Sequence, residues 1–205
     1  MSYDKLANKT SVEKVVKALR GKGYEAMIVK NGKDALTKIK NSIPEGKSVM
    51  NGSSVTLEQI GYKDLLTSGK HKWLDLHAKV TAEDDKVKRD KLRREADLSD
   101  FYLGSVHALI ETGEFIVASN SGSQLPPIVY TSPNLIFIVS TKKIVPTLDE
   151  GLKRLEQYVV PLENKHMLDL YGAGTQLNKI VIFKGENPMS GRNIRFILVE
   201  EDLGF

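Results

Sequence analysis

Between Thr10 and Gly61 helix and strand signals alternate without a break, and that alternation limits the fold more than any other feature of the chain. Thr10 and Glu13 have the spacing of a capping box, and Val12, Val15, Val16 and Leu19 recur behind them at helical spacing. The pattern predicts a helix over about 10–22, stopped by Gly21 and Gly23. Residues 24–29 are an apolar run of strand length, after which Asn31 reads as the N-cap of a helix carrying Ala35, Leu36 and Ile39 on one side. Pro44 and Gly46 close that unit. Residues 48–51 read as a second short strand, running straight into Gly52-Ser53-Ser54 and a new helical start at Thr56. Helix, strand, helix, strand, helix is the signature of an α/β fold: a largely parallel sheet with helices on both faces, here with a helical N-terminal segment.

Downstream, residues 62–100 have little strand character, and the charged run from Ala82 to Asp97 contains few apolar residues, Val87, Leu92 and Ala96 among them. It reads as a partly exposed helix laced with ion pairs. Strand-like pieces follow at 101–103, 106–110 and 115–118, the last two forming a hairpin about Thr112-Gly113. Residues 135–140 (LIFIVS) are the clearest buried strand. Pro146 and Asp149 lead into a helix whose Leu148, Leu152, Leu155 and Val159 share a face, and 194–199 (IRFILV) is a final strand. No repeat and no long linker interrupts the chain, so one domain over 1–205 is expected.

The chain has no cysteine, which removes disulfides, thiolate metal sites, cysteine-ligated iron–sulfur clusters and cysteine nucleophiles. A formal charge of +4, from 30 basic and 26 acidic residues, is too slight an excess to mark a nucleic-acid binder. The polar start MSYDKLANKTSVEK reads as neither a signal peptide nor a membrane span, so by elimination a cytoplasmic location is expected. His71, His77 and His166 lack the spacing of a metal site. Trp73 and Tyr62 are the place considered for a homo-oligomeric contact, against the commoner reading of core or rim packing.

Two loops and one lysine carry the functional reading. Gly52, Ser53, Ser54 and Thr56 lie between a strand end and a helix N-terminus, where backbone N–H groups and small hydroxyls cradle an anion. A plain turn with Ser54 as N-cap explains the same residues, and the carboxyl end of a strand favours the ligand. In the hairpin region, His107, Glu111 and Glu114 are candidates for general acid/base work, although local sequence favours ordinary turn carboxylates in water. Asn120, Ser121 and Gly122 begin the polar run after the hairpin, and Lys143 closes the LIFIVS strand, where it can pair with an anionic ligand or stand solvated in a turn.

Taken in order, NGSSVTLEQIG, ADLSDFYLGSVHALIETGEFIV with its Gly/Ser/Asn loop, LIFIVSTKKIVPTLDEGLKRL, VVPLENKH and ILVEEDLGF resemble the LUD domain, the lactate-utilisation domain of YkgG/LutC type. The resemblance runs from about residue 10 to the end of the chain. It implies an α/β fold of the NagB/RpiA/CoA transferase-like class, in which a strand-to-helix Gly/Ser/Thr loop receives phosphate or a similar anion. It implies a lactate-utilisation protein that binds a small anionic carboxylate or phosphorylated ligand, as an accessory subunit beside iron–sulfur or redox subunits of a lactate-oxidising complex. The alternative it implies is an isomerase or transferase with Glu111 or Glu114 as base and His107 polarising the substrate. Isomerase relatives carry Asp six residues before the hairpin Gly, and LUD sequences generally Asn, where this chain has His107. A Lys matching Lys143 recurs in LUD sequences before Ile-Val. Where relatives bear a Cys-rich motif, residues 171–179 here contain no thiol, so the chain holds no cluster of its own and its cofactor is unknown.

Overall fold

The computed structural model describes residues 2–205. Its first helix, α1 (Lys9–Gly21), is capped by Asn8, whose side-chain oxygen accepts from the Ser11 N–H at 2.9 Å. The cap is thus two residues earlier than the Thr10 capping box suggests, because the extended Asn8 leaves Thr10 inside the first turn. Strand β1 (Glu25–Val29) follows, then α2 (Gly32–Ser42) with Asn31 as its cap, β2 (Ser48–Asn51), and α3 (Val55–Gln59) capped by Ser54. After α4 (Tyr62–Thr67) come β3 (Leu74–Asp75), α5 (Leu76–Thr81) and the charged α6 (Lys86–Ala96), of which only Ala96 is buried. The remaining strands are β4 (Phe101–Gly104), β5 (Ala108–Ile110), β6 (Phe115–Ser119), β7 (Asn134–Ser140), β8 (Ile144–Val145), β9 (Lys179–Phe183) and β10 (Asn193–Val199). Between β8 and β9 lies one long helical run: α7 (Leu148–Arg154), a π-helical turn (Leu155–Val159) and α8 (Val160–Tyr171).

Six strands form a parallel sheet in the order β1-β10-β7-β4-β2-β3. Successive side chains in a strand point to opposite faces, and both faces are apolar here. Tyr102, Leu135, Phe137, Phe196 and Leu198 face α1, whose Val12, Val15, Val16 and Leu19 are buried against them. Leu103, Ile136, Ile138, Ile197 and Val199 face the other way, onto Ala35 and Ile39 of α2 and Leu57 of α3. Helices therefore cover both faces. Tyr62 and Trp73 join this second cluster, stacked with ring centroids 6.4 Å apart, and the Trp73 indole N–H donates to the Ile43 carbonyl at 3.2 Å. They are core residues rather than an exposed patch.

A second sheet, in the order β8-β5-β6-β9, was not legible from the sequence, nor was β9 within it. The hairpin β5–β6 is antiparallel, and β9 adds antiparallel to β6. Phe115 ties the two sheets together: it stacks on Phe183 of β9 at 4.4 Å and meets Phe196 of β10 edge-on at 5.2 Å. Gly113 turns the hairpin with φ +82°, and a Cβ there would stand 3.0 Å from the Ala18 carbonyl carbon, so glycine lets the turn rest on α1. The outer side of this sheet packs Ala108, Ile110 and Ile116 under Leu155 and Val159. That packing sets the α7–α8 helix across the carboxyl ends of the parallel strands. Among the described residues no helix is long and apolar enough to cross a membrane.

Candidate ligand site

Where β2, β4 and β7 end, their loops open onto a cleft of about 570 Å³, closed on the far side by the α7–α8 helix. Open parallel sheets bind ligands at this edge, because loops and helix N-termini present unpaired N–H groups there. Gly52, Ser53, Ser54 and Thr56 line it from the β2–α3 turn, His107 from the turn after β4, Asn120 and Ser121 from the loop after β6, and Lys143 from the turn after β7. Residues scattered over the chain thus meet at one cavity. Gly52 is required by crowding: a Cβ there would stand 2.5 Å from the Tyr102 hydroxyl and 3.0 Å from Gln124 Oε1. Gln124 in turn donates from Nε2 to the Ala118 carbonyl at 2.8 Å, fixing the end of β6 beside the turn.

Lys143 is the centre of the site. Its side chain is buried, and Nζ donates to Thr56 Oγ1 and to Ser105 Oγ, each at 3.0 Å. Lys142 beside it pairs with Asp202, but Lys143 has no carboxylate partner among the described residues. Burial holds its amine well below the ordinary lysine range, and the charges of Arg154 and Lys142 push it the same way. The chain segment Leu203–Phe205 folds over this group: the Gly204 N–H donates to Gln59 Oε1 at 2.6 Å, and Gly204 lies against Thr56 Oγ1.

His107 presents a neutral ring. Its Nδ1 accepts from the Ala118 N–H at 3.0 Å, which leaves the proton on Nε2 as a donor. Burial, then the charges of Lys143 and Arg154, push its pKa down to about 3. Behind it Arg154 is fully buried, donating Nη1 to the His107 carbonyl, with its guanidinium 5.3 Å from the Tyr158 ring centre. Arg154 Nε and Nη2 have no hydrogen-bond partner among the described residues, and burial lowers its pKa to about 10. Lys143 in the cleft wall and Arg154 behind His107 are thus two buried basic side chains, neither of which has a carboxylate partner among the described residues.

The remaining sequence candidates lie elsewhere. Glu111 pairs with Lys14 of α1 at 3.1 Å, and its carboxyl is held below the usual range first by the Ser11 side chain and then by Lys14. Glu114 accepts from the Thr112 hydroxyl at 3.1 Å in the hairpin turn. Neither lines the cleft. Gly122 has φ +90° and donates its N–H to Ser119 Oγ at 2.9 Å, a turn role beside the cleft rather than on its wall. The carboxylate that does reach the cavity is Glu163 of α8, with Met167 and Tyr171 below it. Leu155, Val159, Glu163, Met167 and Tyr171 recur every four residues, a helical stripe whose apolar start reads as core when it is cut off at Val159. Among the described residues no group of three or more His, Asp or Glu side chains is placed to hold a metal ion.

The sequence matches the family model of the LUD domain over residues 12–170. A search of curated proteins finds no match. Among solved structures, a DUF162 family protein from Deinococcus radiodurans superposes with a TM-score of 0.58 at 16% identity, over 95% of this chain and 99% of that one. That likeness shows the fold, a mostly parallel sheet with helices around it.

Proposed function

The chain belongs to the LUD domain family, and from that premise we propose that it serves lactate utilisation by binding a small anionic carboxylate or phosphorylated ligand in the cleft. The observation that carries this reading is Lys143, a buried amine held by two hydroxyls with no carboxylate partner among the described residues. Burial without a counter-charge disfavours the ammonium form, and an anion in the cleft supplies the partner that stabilises it. The turn Gly52–Ser54, the hydroxyls of Thr56 and Ser105 and the Nε2–H of His107 add neutral donors, which orient an anion without competing for it. Since the chain has no cysteine, the iron–sulfur or redox centres of a lactate-oxidising complex belong to partner subunits. In that arrangement this protein is the accessory subunit that holds the ligand.

Calorimetric titration with lactate, pyruvate, a sugar phosphate and CoA tests the proposal. At least one is expected to bind more tightly than about 1 mM, or about −4 kcal/mol. Failure of all four at that level overturns the reading for these ligands.

A further inference from the structure

We infer that the cleft takes a bipartite ligand, an anionic head joined to an apolar body larger than a three-carbon acid; this rests on the cleft being the anion site proposed above. The two walls differ in chemistry. The sheet side supplies Lys143, His107 and the hydroxyl-bearing turns, whereas the opposite wall is one stripe of the α7–α8 helix. Leu155 and Val159 at the head of that stripe are already buried against the second sheet, but Met167 and Tyr171 line the cleft without being buried, and α8 itself has no buried residue. Its inward side chains thus meet the cleft rather than a packed core, and covering them with an apolar body is favourable.

Size points the same way. A volume of about 570 Å³ falls within the roughly 300–1,000 Å³ of pockets that hold drug-sized ligands. Lactate alone leaves most of it to water. Glu163, in the middle of the helical stripe, opposes a second anionic group on this wall, so a ligand with charge at both ends fits poorly. Met167 beside it has the unbranched, adaptable side chain suited to an aliphatic body.

Calorimetric titration of the full chain with lactate and with 2-hydroxyoctanoate, which share one head group, tests the inference. A fully buried methylene strengthens binding about fourfold, so the longer acid is expected to bind roughly a hundredfold tighter or more. M167E sets a second carboxylate on the apolar wall and is expected to narrow that gap. Equal affinity for the two acids, or a gap that M167E leaves untouched, overturns the inference and leaves the anion site standing. If neither acid binds, the anion-site reading for 2-hydroxy acids fails together with the inference.

Discussion

Replacing Lys143 by methionine tests whether the buried amine is the uncompensated group on which anion binding depends. Methionine keeps the length and most of the volume of the side chain while removing the titrating nitrogen. In the native protein the amine sits well below 10.5 because of burial and the charges of Arg154 and Lys142; in the unfolded chain it returns to its ordinary value. Between those two values the unfolded state binds up to one more proton than the native state, so wild-type stability rises with pH across that window. One proton corresponds to about 1.4 kcal/mol per pH unit, and for a chain of this size each kcal/mol moves Tm by about 2–4 °C. The difference in Tm between wild type and K143M, followed by circular dichroism from pH 8 to pH 10, is therefore expected to change in favour of wild type as pH rises, by up to about 3–5 °C per pH unit. Other lysines titrate in both proteins and cancel. A saturating anion favours the ammonium form and is expected to flatten the wild-type slope alone. Parallel Tm profiles for the two proteins would refute the reasoning, as would anion affinity unchanged in K143M.

His107 titrates at about 3 in the native protein against 6.5 ordinarily, so its contribution to stability is present above pH 6.5 and is lost as pH falls toward 3. H107N is expected to shallow the acid limb of the stability profile, measured by guanidinium unfolding at pH 4 and pH 7. Gly204 has φ +66° and lies against Thr56 Oγ1, so G204A is expected to destabilise the protein by about 1–3 kcal/mol, read from chemical denaturation, and to weaken anion binding by displacing Thr56. Glu111 is part-buried and pairs with the exposed Lys14 away from the cleft, so E111Q is expected to change stability by no more than about 1 kcal/mol and to leave calorimetric anion affinity unaltered.

The parallel sheet was legible because both its faces are buried, which makes β7 and β10 continuous apolar runs, and because Asn31 and Ser54 mark helix starts by their own chemistry. The second sheet was not. Strand β9 pairs with β6 across sixty residues of chain, between Lys179 and Ser119, and its half-exposed KIVIF run has no local mark that sets its partner. For the site, position at a strand's carboxyl end singled out Gly52–Thr56 and Lys143, which the fold brings to one cavity. The hairpin carboxylates were conspicuous only because they flank a glycine turn, and that turn faces α1. Glu163 carried no such local mark, since what brings it to the cleft is the packing of Leu155 and Val159 on the second sheet.

A crystal structure of the protein soaked with lactate or inorganic phosphate tests the central claim most directly. The account predicts density for the anion within hydrogen-bond distance of Lys143 Nζ and of the Gly52–Ser54 turn. Ordered water alone in a cleft exposed to a saturating anion, or the anion bound away from Lys143, would contradict it.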